Sequence, residues 1–67
     1  MKISAIEEAA QIVGSQSELA RILGVSPQAV QQWVAINHVP AKRVRDIVKS
    51  TGGKITASDL RPDLWGD

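Results

Sequence analysis

Ser15 to Val34 reads SQSELARILGVSPQAVQQWV, two apolar-patterned segments on either side of a glycine, and the way they join decides the fold. Ser15 followed three residues later by Glu18 forms a capping box, so a helix is expected to open there. Leu19, Ala20 and Leu23 recur at helical spacing and give it an inward face. Gly24, free to take the left-handed conformation, closes it. Val25 and Ser26 complete a short connection. Ser26 is a favourable N-cap, and Pro27 suits a first helical turn, where a missing N–H costs nothing. At about 100° per residue, Val30, Trp33 and Val34 fall on one side of the next helix, with Gln28, Gln31, Gln32 and Ala35 on the opposite side. Three amides grouped on an outward face, where Lys and Glu are more usual, admit two explanations. Either a partner reads them, or glutamine serves as a helix former on a wet surface.

Working outward from this pair, Ser4-x-x-Glu7 is a second capping box, and the helix behind it carries Ile6, Ala10 and Val13 as a stripe before Gly14 stops it. Downstream, the loop Ile36-Asn37-His38-Val39 leads to Pro40, a favourable helix opener; Val44, Ile47 and Val48 then form the inward face of a helix reaching Thr51. Gly52-Gly53 ends it. Lys54-Ile55 reads as a short extended link, and Thr56-x-x-Asp59 as a capped final turn carrying Leu60 and broken near Pro62. No segment alternates over a strand's length, and there is no internal repeat or low-complexity stretch. The expectation is an all-α bundle of four helices plus a short C-terminal helical turn. It forms one domain over residues 1–67, with a helix-turn-helix unit at 15–35 and a tail at 55–67.

Bulk properties narrow the function. With 67 residues and no cysteine, disulfides and thiolate–metal sites are excluded, and a chain this short has no room for a large cofactor cavity. His38 is the sole histidine and lacks a partner for metal binding or thiol–imidazole chemistry. Glu7 and Glu8 diverge on adjacent helix positions, and Asp59 and Asp63 flank a proline-bearing turn, so no carboxylate pair suggests general acid–base catalysis. An enzyme, a metal site, a cofactor and a small-molecule ligand are all unexpected. The N-terminus lacks a signal-peptide pattern and no apolar run is long enough for a membrane span, so a cytoplasmic protein is expected.

The formal net charge is only +1, but its distribution is uneven. Residues 16–54 carry six basic side chains (Arg21, Lys42, Arg43, Arg45, Lys49, Lys54) against Glu18 and Asp46, whereas both ends are net acidic. A basic middle with acidic ends can orient a protein on a polyanion; ordinary surface scatter explains it equally well. Trp33 shares a face with Val30 and is assigned to the core, while Trp65 either folds back on the core or serves an interface.

A helix, a three-residue turn and a second helix is the geometry that presents the second helix to the DNA major groove. It needs a small residue where the helices cross (Ala20), a glycine at the turn (Gly24), and apolar side chains in the wedge (Val25, Val30, Trp33). With Gln16, Ala20, Gly24, Val30 and Trp33 at this spacing, Val39-Pro40-Ala41 opening the fourth helix, and the tail Asp59-Leu60-Arg61-Pro62-Asp63-Leu64-Trp65, the chain resembles the Cro-like helix-turn-helix repressors of phages. More narrowly, it resembles the small Cro-type regulators that include the YdaS-type antitoxins. The likeness spans nearly the whole chain.

That resemblance implies a lambda-repressor-like fold and a transcriptional repressor that reads double-stranded DNA with a recognition helix at 27–35. It implies base contacts from the second residue of that helix and the one four further on, Gln28 and Gln32. The chemistry agrees, since an amide donates and accepts at once and matches the adenine N6 and N7. Gln31 and Ala29 flank them, Ala29 within reach of a thymine methyl. Phosphate contacts are expected at helix N-termini and adjoining loops, from Gln16, Ser17, Ser26, Asn37 and His38. Lys42 and Arg43, in the first turn of the fourth helix, join them where family members meet the backbone, although Lys42 and Asp46 are also spaced for an ordinary ion pair. Pro27 departs from relatives that place a base-reading Gln there, which removes one contact. A domain this small is expected to bind a pseudo-palindromic operator as two copies about one helical turn apart, dimerising weakly or only on DNA. The competing reading is a YdaS-type antitoxin or regulatory adaptor whose main partner is another protein, with DNA binding kept for autoregulation; Leu60, Leu64 and Trp65 suit such a partner.

Overall fold

Three serines, evenly placed along the chain, start the first three helices. In the computed structural model, which describes residues 3–66, the Oγ atoms of Ser4, Ser15 and Ser26 accept from the backbone N–H groups of Glu7, Glu18 and Ala29 at 3.2, 3.1 and 3.2 Å. Each bond satisfies one of the donors that a helix start leaves unpaired. The helices that follow are α1 (Ala5–Val13), α2 (Gln16–Leu23) and α3 (Pro27–Ile36), with α4 (Ala41–Ser50), α5 (Ala57–Leu60) and α6 (Pro62–Trp65) behind them. The all-α expectation holds. Among the described residues, the reciprocal half of the capping box is present at Thr56–Asp59 alone. At Glu18 the carboxylate turns instead to Arg21, one helical turn along.

Helix α2 is the central element and packs on α1, α3 and α4. Its inward residues are those expected: Leu19, Ala20 and Leu23 are buried. Gly24 closes it in the left-handed region at φ 73°, where a side chain would be strained, and the Val25 N–H returns to the Ala20 carbonyl at 3.0 Å. Ile6, Ala9 and Ala10 of α1, Val30 and Trp33 of α3, and Val44 and Ile47 of α4 complete the core with Val39, Ile55 and Leu60. Ala9 takes the place that Val13 holds in the expected stripe; Val13 is half-buried at the helix end. Removing a side chain such as Leu19 or Ile47 from such a core costs about 2–5 kcal/mol.

One expectation fails in the tail. Lys54-Ile55 is not extended: Gly52 and Gly53, with φ 64° and 83°, fold the chain back, and the Lys54 N–H bonds the Thr51 carbonyl at 3.2 Å. The buried Thr51 hydroxyl donates to the Val48 carbonyl at 3.0 Å and accepts from the Ile55 N–H at 3.2 Å, which joins the end of α4 to the return. The last turn is broken beside Pro62 as expected, α5 closing at Leu60 with the non-helical Arg61 after it; Pro62 then opens α6 from its first position, so among the described residues a second short helix follows the expected turn. Helix α5 packs on α1 and α4 and delivers Leu60 to the core. The charges of Lys2 and Asp67 lie outside the described residues.

Candidate nucleic-acid interface

The outward face of α3 is built by subtraction. Val30 and Trp33 are drawn into the wedge against α2, so Gln28, Gln31, Gln32 and Ala35 are turned away and exposed. None of the three amides hydrogen-bonds another described residue. Ala29 stands at the edge of this face. It is half-buried, packs against the core and gives its N–H to Ser26. About 100° of helical rotation per residue sets it beside Trp33, not among the amides, so its methyl is partly used in packing.

The expected phosphate-binding residues separate into free and committed groups. Ser17, at the start of α2, is exposed, with half-buried Gln16 beside it. The exposed Ser26 accepts from Ala29 through a lone pair, which leaves its hydroxyl proton for an outside acceptor. Asn37 ends α3 in the left-handed conformation at φ 51°, ψ 48°, and the His38 N–H bonds the Trp33 carbonyl at 3.0 Å, so both side chains stand exposed on an anchored turn. α3 thus runs one residue beyond the expected helix end at Ala35.

Lys42 and Arg43 differ. Lys42 is exposed, and the ion pair with Asp46 that its spacing allows does not form; the side chains have no burial to hold them together. Arg43 is half-buried and its Nη1 donates to the Leu23 carbonyl at 3.5 Å, bracing α4 against the end of α2. Among the described residues, the salt bridges are Glu18–Arg21 and Arg61–Asp63, so Lys42, Arg45, Lys49 and Lys54 keep unneutralised charge. These unpaired basic side chains are carried by α4 and the turn after it, with the exposed Asp46 among them.

Sequence reasoning missed Arg61. Its Nε and Nη2 grip the Asp63 carboxylate at 3.0 and 2.8 Å, and its Nη1 donates to the Val39 carbonyl at 2.9 Å. The guanidinium, with a smaller contribution from His38, holds the Asp63 carboxyl below the usual carboxylate range. The signal lay in the Arg-Pro-Asp order, which sets a carboxylate two residues from an arginine across a helix start. Leu64 and Trp65 on α6 remain 52% and 45% exposed, and Ile36 at the end of α3 is 59% exposed, so Trp65 is not core. Among the described residues, no cluster of His, Cys, Asp and Glu could hold a metal, and no helix is long and apolar enough to cross a membrane.

The chain matches, over residues 6–67, the family described as "Bacterial toxin YdaS". It is 42% identical over 59 residues to YdaS of Escherichia coli (strain K12), which is named as a transcriptional regulator; the match takes in 87% of this chain. It spans 60% of that relative's length. It also aligns, with a TM-score of 0.92 and 42% identity, with the Cro protein from a prophage element, Xfaso 1, in Xylella fastidiosa strain Ann-1; 97% of this chain and 100% of that one are covered. The family description says toxin where the resemblance implied antitoxin.

Proposed function

The chain belongs to the Cro/YdaS-type family, and from that premise we propose that it is a sequence-specific double-stranded DNA-binding repressor of Cro type, with α3 as its recognition helix. The observation that carries the reading is the outward face of α3. The side chains of Gln28, Gln31 and Gln32 are exposed, bond to no other described residue and stand on the second helix of a helix-turn-helix. Gln28 and Gln32 lie one turn apart and read adenine edges, while Gln31 contacts the adjoining step. Ser17, Ser26, Asn37, His38 and Lys42, with Gln16 at the start of α2, hold the phosphates. Arg43 contributes mainly by fixing α4 beside the turn. Two copies on a pseudo-palindrome, associating weakly or on the DNA itself, occlude a promoter in the cytoplasm of a bacterial or phage-infected cell. No step is catalytic.

The test is selection of bound duplexes from a random pool. Recovery of a two-fold motif with half-sites about one helical turn apart supports both the reading and the stoichiometry. Recovery of no motif removes it. A second reading has its own observation: Leu64 and Trp65 present apolar surface on α6, away from the amide face in sequence, as a protein partner would require. On that reading the chain is a regulatory adaptor or a member of a toxin–antitoxin pair, with DNA binding kept for autoregulation. A stable complex with the product of a neighbouring gene, lost in Trp65→Ala but retained in Gln32→Ala, would favour it.

A further inference from the structure

Arg61 lies in the acidic tail, yet its side chain is only 13% exposed and all three of its guanidinium nitrogens are engaged. Two bonds to one carboxylate fix the plane of the guanidinium. The remaining nitrogen then points at the carbonyl of Val39, a residue 22 positions away with a fully buried side chain. That carbonyl sits midway along the connection between α3 and α4. The connection is tied at its start by the His38 N–H to the Trp33 carbonyl and at its end by the Arg43 N–H to the Pro40 carbonyl, at 2.9 Å. Arg61 supplies the tie in between, from outside the segment.

We propose that Arg61 is a positioning residue for DNA binding, which through the Val39 carbonyl holds the Asn37–His38–Val39 connection in the shape that meets the phosphate backbone. The role rests on the DNA-binding reading above. Its physical basis is entropy: a loop contact loses less freedom on binding when the loop is already ordered in the free protein. Asp63 serves as the second anchor, orienting the guanidinium without a bond to the loop. A lysine at position 61 would bring a single ammonium with no planar fork, so it should hold the carbonyl less well.

The experiment compares wild type, Arg61→Ala, Arg61→Lys and Asp63→Asn by two measurements. One is amide hydrogen exchange of the free protein at His38, set against Leu19 and Val30 in the core. The other is titration with the duplex recovered by random-pool selection and with a scrambled duplex. In Arg61→Ala, His38 should exchange roughly tenfold faster relative to the core amides, and affinity for both duplexes should fall roughly three- to tenfold. Arg61→Lys should recover part of each effect, and Asp63→Asn should fall between. Unchanged exchange at His38 overturns the proposal, as does faster exchange with undiminished binding. An equal rise at Leu19 and Val30 makes Arg61 a general stabiliser and also overturns it. If the wild type selects no duplex, the DNA reading fails and takes the positioning role with it, while exchange still reports whether Arg61 orders the loop.

Discussion

Replacing Gln32 by alanine separates recognition from folding. The Gln32 side chain is exposed and makes no hydrogen bond within the described chain, so its removal leaves no cavity and no orphaned polar group. Alanine is also the better helix former by a few tenths of a kcal/mol, so the melting temperature should stay level or rise slightly. On the operator the outcome is different. An amide bidentate to adenine is worth ~1–3 kcal/mol, a loss of roughly 5- to 150-fold per subunit. On a two-fold site the loss occurs twice, about 2–6 kcal/mol in total, provided the half-sites act independently. A scrambled duplex, held through phosphates, should bind almost as before. The assay is equilibrium titration of both duplexes at one fixed salt concentration, with a thermal melt alongside. Gln28→Ala is the companion variant, with the same expectation. The reasoning is refuted if both variants retain wild-type discrimination between the duplexes; an equal loss on both with a lowered melt would show damage to the fold.

Lys42→Ala should weaken operator and random DNA alike and lower the salt slope by about one unit, whereas adding Arg43→Ala should also lower the melting temperature, because that side chain braces the end of α2. Salt titrations of the single and double variants, with melts, check both parts. Truncation after Gly53 removes buried Ile55 and Leu60, each worth about 1.5–3 kcal/mol, from a domain with little to spare; most of the chain should be unfolded at room temperature by circular dichroism. Trp65→Ala, at a half-exposed site, should leave the melt nearly unchanged and alter only the concentration dependence of operator binding if α6 meets a second copy. Because Asp63 titrates below its ordinary 3.8 in the folded chain, its contribution is complete above that value and lost as pH falls through the depressed one. Tail docking, followed by NMR at the Trp65 amide, should loosen in that acid range in wild type and show no such step in Asp63→Asn.

What could be read from the sequence was whatever local chemistry decides. Ser26, Pro27 and Gly24 act on atoms within one turn of themselves, so the start of α3 and the end of α2 fall where the residues indicate. The apolar spacing placed Val30 and Trp33 inward and so left the glutamines outside. The failures share a cause in distance or ambiguity. Arg61 reaches a carbonyl 22 residues away, which no local pattern encodes. Pro62 was legible as a stop, and α5 does end just before it, but that it also opens α6 depends on the turn that follows. Lys54-Ile55 looked extended because the effect of two positive-φ glycines depends on Thr51 waiting for the Ile55 N–H. Ala9 is small enough for either face, and the packing of α1 on α2 settles it.

The serine caps at Ser4, Ser15 and Ser26 bear on how the chain acquires its shape. Each of the first three helices carries its own start signal within a turn, and the turns between them are short, so little loop entropy is lost when α1 meets α2 and α2 meets α3. Contacts between near neighbours in sequence form fastest. The docking of α5 on α1 and the bond from Arg61 to Val39 instead need the chain to return over long separations. During synthesis, which proceeds from the N-terminus, the helix-turn-helix is made before residues 57–65, so its near-neighbour contacts can form ahead of the tail's. The grip on the α3–α4 connection closes after those contacts, when Arg61 arrives.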